Sequence, residues 1–243
     1  MTAPDLSGKT ALVTGASRGI GRSIALALAG RGAHVIALAR TAGALEELDD
    51  EIRAAGGKAT LAPMDLVEGD GIERLAGALS GRFDALDILV LNAGSLGELA
   101  PLPDIDPKLW NHTLDLNVTA NWRLIRALDP MLRRAARADV IGLSSRVGGE
   151  AAKAYWGVYA TTKAAFDMMM KTYAEETAKS PVRVSLISPG PMRTAMRKVA
   201  MPGEDPQTLP HPDELLPLAY HLLTREEREP LRISFREWRE TRA

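Results

Sequence analysis

Cysteine is absent from the 243 residues of the sequence. Disulfide bonds and thiolate metal sites are therefore excluded, and the composition fits the reducing environment of the cytoplasm, where we expect the protein to reside. Long apolar runs are absent as well, because no stretch approaches the roughly 18 residues that a membrane helix needs. The opening segment MTAPDLSGKT has no apolar core of the length found in signal peptides, so a secretory leader is not expected.

An excess of charge of either sign is also lacking. The formal net charge is −1, which provides no long-range attraction to nucleic acid or to a membrane, so neither is expected as a partner. The histidines lack the spacing of metal ligands, and no metal site is predicted from His34, His112, His211 and His221. Hydrophobic residues make up 46% and charged residues 25%, which is typical of a globular protein rather than a disordered one.

The sequence does contain a regular alternation of short apolar runs and longer segments with helical periodicity. The runs predict strands over residues 10–15, 33–40, 58–65, 86–94, 139–145 and 182–188, and LRISF at 231–235 is compatible with a short seventh strand. Helices are predicted over 19–32, 43–55, 69–82, 107–137, 153–179 and 213–223. Such alternation favours an α/β fold, in which a doubly wound parallel sheet of about seven strands has helices on both faces.

A glycine-rich loop, TGASRGIG at residues 14–21, follows the first predicted strand and opens the first helix. Gly15 permits a tight turn, Gly19 lets the backbone approach a ligand closely, and Gly21 allows the helix to pack near the strand. The helix N-terminus would then offer free N–H groups to a pyrophosphate. The alternative is a structural turn with no ligand, but the strand–loop–helix context favours a dinucleotide site.

The segment YATTK places Tyr159 and Lys163 four positions apart, hence on one face of a helix. A phenol is a poor base at neutral pH, but a nearby ammonium should lower its pKa and make proton exchange practical. Such a pair is consistent with catalysis of proton transfer. On its own, however, the pattern is more typical of an ordinary pair on a helix surface.

Taken together, the motifs resemble those of the short-chain dehydrogenases/reductases. The glycine pattern is T-G-x-x-x-G-x-G, and it is followed in the family's order by NAG at 92–94, LNV at 116–118, SSRVG at 144–148, YATTK at 159–163 and SPGPMRT at 188–194. The resemblance covers nearly the whole chain, and PGPMRTAMR with the EDPQ that follows is similar to bacterial oxidoreductases of that family. It implies a single Rossmann-type, dinucleotide-binding catalytic domain over residues 1–243, with a substrate lid at about 190–212.

The resemblance also implies a catalytic set of four residues: Asn117, Ser145, Tyr159 and Lys163. Tyr159 would exchange a proton with the substrate oxygen, Lys163 would hydrogen-bond the nicotinamide ribose, and Ser145 would stabilise developing negative charge. In relatives, an Asn at this place opens its helix and holds a water. Ser144 competes with Ser145, but the pattern S-x-x-G selects Ser145.

The preference for a cofactor depends on the end of the second predicted strand. No acidic residue lies between Ala33 and Glu46 to bind a ribose 2′-OH, whereas Arg40 and Arg18 would suit a 2′-phosphate, so NADP(H) is predicted over NAD(H). Both arginines could instead be solvated surface residues. Asp65 is similar to the family residue that contacts adenine, although it could instead cap the next helix.

The full set of cofactor-binding residues implied by the resemblance spans all the motifs and comprises Gly15, Ser17, Arg18, Gly19, Ile20, Gly21, Arg40, Thr41, Asp65, Leu66, Asn92, Ala93, Gly94, Tyr159, Lys163, Pro189, Gly190, Met192 and Thr194. The substrate pocket should draw on loops 95–103 and 149–156 and on the lid. Four prolines within 195–212 suggest a mobile lid, with a rigid connector as the alternative.

The predicted activity is therefore that of an NADP(H)-dependent carbonyl reductase or alcohol dehydrogenase acting on a small molecule. An enone reductase, an epimerase and a non-catalytic dinucleotide sensor are the alternatives, and sequence does not name the substrate. The long helices 107–137 and 153–179 are the faces that relatives use for assembly, so a homodimer or homotetramer is expected by resemblance.

Overall fold

The computed structural model describes residues 3–226 and 232–242. In this part of the chain, seven strands form one parallel sheet in the order β3-β2-β1-β4-β5-β6-β7. The strands are β1 Thr10–Thr14, β2 His34–Ala39, β3 Lys58–Pro63, β4 Ile88–Leu91, β5 Ala138–Leu143, β6 Val182–Ser188 and β7 Arg232–Ser234. The predicted seventh strand is confirmed over Arg232–Ser234, while Leu231 of that prediction lies outside the described residues.

Helices cover both faces of the sheet. They are α1 Gly19–Ala29, α2 Ala42–Ala54, α3 Gly71–Ser80, α4 Pro107–Leu114, α5 Ala120–Arg134, the short α6 Arg146–Gly149, α7 Gly157–Glu176, α8 Ala195–Ala200, α9 Leu216–Thr224 and α10 Phe235–Glu240. A π-helical turn, Asp115–Thr119, joins α4 to α5, and 3₁₀ turns lie at Leu102–Asp104, Pro206–Thr208 and Pro212–Leu215.

The alternation of side chains along the strands divides the core between the two faces. Leu12 packs in the cluster that includes side chains of α3, α5 and α7, whereas its neighbour Val13 packs in the cluster that includes α1, α2 and α9. Both residues are fully buried, as are most residues of the central strands. Burial of one such side chain contributes about 1.5–3 kcal/mol. Since helices cover both faces of the sheet, the strands gain this stabilisation on both faces and are apolar on both.

The predicted α/β class, with its Rossmann-type doubly wound sheet, is confirmed, but some helix boundaries differ from the prediction. The segment 107–137 is not one uninterrupted α-helix, because the π-helical turn divides it and α5 ends at Arg134. The segment 153–179 becomes helical only at Gly157 and ends at Glu176. Tyr155 has φ 68°, a left-handed conformation that an α-helix cannot include, so the helix cannot begin before it.

β1 and β4 are neighbours in the middle of the sheet. From β1 the chain adds strands toward one edge, and from β4 it adds them toward the other, so the strand order reverses between them. The glycine loop follows β1 and the NAG segment follows β4, so the two motifs meet at this switch point. Open parallel sheets bind ligands outside the carboxyl ends of their strands at such a point. In the described residues, no helix has both the length and the apolar character needed to cross a membrane.

Candidate active site

The glycine loop and the NAG segment are joined by hydrogen bonds at the switch point. Thr14 Oγ1 accepts from the backbone N–H groups of Asn92 at 2.9 Å and Ala93 at 3.0 Å, and Asn92 Nδ2 donates to the Thr14 carbonyl at 2.9 Å. A Cβ on Gly21 would lie 2.3 Å from the Gly15 carbonyl oxygen and 2.4 Å from Asn92 Nδ2. Only glycine therefore permits α1 to start this close to both segments.

The first turn of α1 faces the cleft with its backbone donors. Among the described residues, no side chain caps this turn, because the N-cap residue Arg18 is extended and its own side chain makes no capping bond. The motif that follows β6 lies opposite, since a Cβ on Gly19 would contact the Thr194 methyl group at 3.4 Å. The glycine loop and the 188–194 segment therefore form two walls of one cleft.

The ends of β2 and β3 bring Arg40 near Asp65. Arg40 Nη1 lies 3.7 Å from Asp65 Oδ2, and the Arg40 side chain is 62% exposed. Asp65 Oδ1 accepts from the Val67 N–H at 3.1 Å, and α3 begins only after Asp70. The alternative that Asp65 caps this helix is therefore wrong. Its carboxylate instead accepts from the turn that follows β3 and lies beside Arg40.

The remaining predicted cofactor residues follow the same edge of the sheet. Ser17, Ile20, Ala93, Gly94 and Pro189 are half-buried, Leu66 and Met192 are buried, and Thr41 and Gly190 are exposed. Thr194 caps α8, because its hydroxyl accepts from the Arg197 N–H at 3.2 Å. Met192 is 2% exposed and belongs to the core cluster, so its side chain packs inward.

Asn117 lies in the π-helical turn between α4 and α5 and is 1% exposed. Its side-chain oxygen accepts from the Ser95 N–H at 2.7 Å, and its Nδ2 donates to the Ser95 carbonyl at 2.8 Å and to Thr162 Oγ1 at 2.9 Å. These bonds connect the loop after β4 to α7. The π turn fits the expected opening of the helix, and such turns are frequent at functional sites.

The two serines after β5 point in different directions. Ser144 is 4% exposed and its hydroxyl donates to Asp167 Oδ1. Ser145 instead lies near Tyr159, where its hydroxyl lowers the pKa of the phenol, and its Oγ accepts from the Val147 N–H at 3.1 Å. The structure thus brings Ser145, and not Ser144, to the phenol.

Tyr159 and Lys163 lie on the inner face of α7 and are each 8% exposed. Lys163 Nζ donates to the Leu143 carbonyl at 2.8 Å and lies 5.8 Å from the centre of the Tyr159 ring. A Cβ on Gly94 would be 3.9 Å from Nζ, so the NAG segment borders the amine. The alternative of a pair on the helix surface is therefore wrong.

The two ionisable groups differ from expectation in their proton affinities. Burial lowers the pKa of Lys163 to about 8, although Asp167 acts in the opposite direction. Burial also raises the pKa of Tyr159, as does the charge of Asp167, and the Ser145 hydroxyl lowers it by less than burial raises it. The expectation that Lys163 holds the pKa of Tyr159 below its ordinary value is wrong for this arrangement, because the loss of hydration dominates.

An apolar wall stands beside Tyr159. It combines Leu96 and Leu99, Trp156, and Ala200 and Met201 from the three segments predicted for the substrate pocket with Val147, which lies just before the second of them. The Trp156 and Tyr159 rings meet edge to face at 5.7 Å between centroids, and Lys153 Nζ lies 4.3 Å above the Trp156 ring. This wall would favour a substrate with an apolar part next to its reacting group.

The match to a known family covers most of this architecture. A model of the family described as short chain dehydrogenase matches residues 9–205. The chain belongs to the short-chain dehydrogenase family. It is thus an oxidoreductase of that family, as its curated relatives are, and the resemblance drawn from its motifs is confirmed.

Curated relatives of this short-chain dehydrogenase align over most of their length. The chain is 34% identical over 233 residues to the uncharacterized oxidoreductase YciK of Escherichia coli K12, which covers 95% of this chain and 92% of YciK. It is 36% identical over 217 residues to the rhamnolipids biosynthesis 3-oxoacyl-[acyl-carrier-protein] reductase of Pseudomonas aeruginosa, covering 88% of this chain and 83% of the reductase.

Solved structures share the whole fold. A short chain dehydrogenase from Shigella flexneri 2a strain 301, complexed with NADP, superposes with a TM-score of 0.92 at 34% identity and covers 97% of this chain and 100% of its own. Another from Escherichia coli CFT073, complexed with NADPH, has a TM-score of 0.90 at 35% identity, covering 95% and 98% of the two chains.

Two charged residues near the site of this dehydrogenase were missed by the sequence analysis. Asp167, one turn after Lys163 on α7, is 3% exposed, and its Oδ2 accepts from Arg232 Nε at 3.0 Å. A signal for Asp167 existed, since Tyr159, Lys163 and Asp167 repeat at intervals of four and so share one helix face. For Arg232 the sequence offers no comparable signal, because its place depends on the pairing of β7 with β6.

Proposed function

We propose that the protein is an NADP(H)-dependent oxidoreductase that transfers a hydride between nicotinamide and a carbonyl or alcohol substrate, with Tyr159 as general acid and base. The observation that carries the proposal is the buried convergence of three groups. The Ser145 hydroxyl lies near the Tyr159 phenol and lowers its pKa, and the Lys163 amine, fixed on the Leu143 carbonyl at 2.8 Å, lies against the same ring. A binding protein without chemistry has no need of a buried proton donor beside a buried amine.

The residues around the switch point fit a phosphorylated dinucleotide. The free donors of the α1 N-terminus suit a pyrophosphate, and the exposed Arg40 guanidinium at the end of β2 suits a 2′-phosphate. Asp65 stands beside Arg40 and can accept from an adenine amino group. The NADP and NADPH complexes of two structural neighbours support the same choice of cofactor.

In the direction of reduction, the chemistry supplied by the bound cofactor is a hydride for the carbonyl carbon. Tyr159 gives its proton to the carbonyl oxygen, which is then an alcohol, and the Ser145 hydroxyl stabilises the charge that develops there. Its raised pKa keeps Tyr159 protonated at neutral pH, as a proton donor must be. The Lys163 ammonium offsets the charge left on the phenolate.

The phenolate must recover its proton before the next turnover. Asn117 joins the Ser95 backbone to Thr162, one residue before Lys163, and the Thr162 hydroxyl donates to the Tyr159 carbonyl at 2.9 Å. This connection fixes α7 relative to the loop after β4. From the family resemblance, we expect the π-helical turn at Asn117 to admit a water that reaches the amine and returns the proton from solvent.

The test is a screen of NADPH oxidation over aldehydes, ketones and quinones, repeated with Tyr159→Phe. We expect the variant to keep its affinity for NADPH and to lose turnover by about 10²–10⁴-fold, the usual contribution of a general acid. Tyr173→Phe is the matched control, because it removes the same oxygen from the same helix where that hydroxyl donates to Asp129 at 2.7 Å. Tyr159→Phe turnover at the parental rate would contradict the mechanism.

The same screen separates the other activities. Steady turnover of an enone with little turnover of simple ketones would favour C=C reduction, and isomerisation without net oxidation of the cofactor would favour an epimerase. Tight NADPH binding with no turnover of any substrate would favour a dinucleotide sensor. Substrates with an apolar group beside the carbonyl should be preferred, because Leu96, Trp156 and Ala200 line the approach to Tyr159.

Assembly through the long helices stays a prediction, as does mobility of the 190–212 lid. Two large apolar side chains on those helices are exposed, Trp122 of α5 at 48% and Met168 of α7 at 61%. Their positions are consistent with a face that a second copy of the chain covers. Sedimentation of the parent and of a Trp122→Glu variant tests this, because the charge should dissociate an assembly that buries the indole.

A further inference from the structure

A cluster of charges lies directly behind the catalytic strand end. Asp167 accepts from the Ser144 hydroxyl through Oδ1 and from Arg232 Nε through Oδ2, the latter at 3.0 Å. Arg232 Nη2 donates to the Ser145 carbonyl at 2.8 Å, and its Nη1 pairs with Glu150. One carboxylate and one guanidinium thus hold both serines of the segment that delivers a hydroxyl to Tyr159.

The cluster is buried, and the backbone makes room for it. The side chains of Asp167 and Arg232 are only 4% and 15% exposed. A Cβ on Gly149 would lie 2.5 Å from Arg232 Nη2 and 2.6 Å from Asp167 Oδ2, so the loop after β5 closes over the pair only because it has glycine there. Any side chain at position 149 would displace the Asp167–Arg232 pair, so the pair requires glycine at this position.

Asp167 is also the carboxylate that acts on Lys163. The amine is buried with a backbone carbonyl as its hydrogen-bond acceptor, and the charge of Asp167, one helical turn away, favours its protonated form. Of the other charged groups, Lys171 of α7 acts on Asp167, Glu237 of α10 acts on Arg232, and Glu150 pairs with Arg232. Asp167 is therefore the charge that links the serine segment to the amine.

We propose that Asp167 and Arg232 are positioning residues for the reaction: they hold the Ser144–Ser145 backbone against α7 and keep a negative charge one turn from the Lys163 ammonium. The proposal rests on the function proposed above. It assigns a task to β7, because the strand's first residue carries the guanidinium. Neither of these two described side chains hydrogen-bonds the phenol: Arg232 acts through the Ser145 carbonyl, and Asp167 acts through Ser144 and through its charge on Lys163 and Tyr159.

The decisive measurement is the pH dependence of kcat/KM for carbonyl reduction in Asp167→Asn. Since the charge of Asp167 raises the pKa of both Lys163 and Tyr159, its removal should move the alkaline loss of activity to lower pH, by about 1 unit for a nearby charge. Asp167→Glu keeps the charge and should keep the parental profile. A parental profile in Asp167→Asn would overturn the electrostatic part of the proposal.

A matched control exists on β5, the strand that leads to Ser144. Asp139 of β5 is a second buried carboxylate paired with an arginine, 6% exposed, but it lies at the strand end far from Ser144. Asp139→Asn should lower the melting temperature and leave the pH profile unchanged. An equal pH shift in both variants would mean that loss of stability, and not loss of the charge beside Lys163, causes the effect.

Arg232→Met tests the positional part and remains informative if Asp167→Asn does not fold. Loss of the donor to the Ser145 carbonyl should lower kcat about tenfold, the cost of one charge-assisted hydrogen bond, with the KM for NADPH within a factor of about two. Arg232→Lys should recover part of kcat. Parental kcat in Arg232→Met would overturn this part, while the proposed function would still stand if Tyr159→Phe is inactive.

Discussion

A buried carboxylate paired with an arginine lies at each end of β5, yet the two pairs have different roles. At the amino end, Asp139 receives both Nε and Nη2 of Arg137, at 2.8 and 3.1 Å. At the carboxyl end, Asp167 receives only Nε of Arg232 and uses its second oxygen for Ser144. Burial raises the pKa of both carboxyl groups, so their local chemistry is similar.

The difference lies in what else each guanidinium binds. Arg137 also donates to the Leu222 carbonyl at 2.9 Å and to the Arg225 carbonyl at 2.8 Å, which ties the end of α9 to the sheet. Arg232 instead donates to the carbonyl of Ser145, and its partner Asp167 is one turn from Lys163. The same pair of side chains therefore acts as a fold contact at one end and as part of a reaction centre at the other. Burial alone does not identify a functional charge; its neighbours do.

The largest effect expected from breaking this comparison is on turnover at the carboxyl end. Lys163→Met removes the ammonium that offsets the phenolate, and turnover should fall by about 10²–10⁴-fold. The variant should fold, because methionine fills much of the same buried space without a charge. Single-turnover measurements with saturating NADPH check this, and near-parental rates would separate Lys163 from the chemistry.

The next largest effect is on stability at the amino end. Arg137→Met leaves Asp139 buried without its bidentate partner, which should cost about 3–5 kcal/mol in the free energy of unfolding. Chemical denaturation measures it. Turnover per folded molecule should stay at the parental level, since Arg137 lies at the amino ends of the strands and Tyr159 lies at their carboxyl ends. A loss of turnover without a loss of stability would reverse the assignment of the two ends.

The sequence supported the prediction of most of the fold and of the residues on single elements. Tyr159 and Lys163 could be placed on one helix face from their spacing alone, and Gly21 could be assigned to a close approach between α1 and β1. These features depend on local geometry, namely the period of the helix and the absence of a Cβ. Local geometry can be read directly from a short stretch of sequence.

Features that depend on distant contacts could not be predicted. The opening of the helix at Asn117 was expected only from the family resemblance, and its bonds to Ser95, 22 residues away, and Thr162, 45 residues away, could not be predicted. Arg232 reaches Asp167 across 65 residues through the pairing of β7. The wrong expectation for the pKa of Tyr159 has a similar origin: the neighbouring lysine is visible in the sequence, whereas the depth of burial is not.

A smaller effect should appear in the pH dependence of stability. The pKa of Lys163 in the folded protein is about 8, below that of an unfolded lysine, so the unfolded chain binds more protons above about pH 8 and stability rises with pH. The gain should be about 2 kcal/mol between about pH 8 and about pH 9.5. Because Lys163→Met lacks this group, the difference between parent and variant isolates it. If the stability of parent and variant changed with pH in parallel, burial would not lower the pKa of Lys163.

The smallest effect expected concerns Arg40, which is also at the carboxyl edge but is exposed. Arg40→Ala should raise the KM for NADPH about tenfold and leave that for NADH almost unchanged, because only the former has a 2′-phosphate for the guanidinium. Stability should not change, since a surface ion pair such as that with Asp65, at 3.7 Å, contributes little. Arg74→Ala is the matched control, with a side chain 71% exposed on α3 and an ion pair to Asp70. Equal losses for NADPH and NADH in Arg40→Ala would mean that the arginine shapes the adenosine pocket without recognising the phosphate. The end of β2 would then recognise the dinucleotide by the shape of its pocket. Charge would contribute to the site only around Lys163.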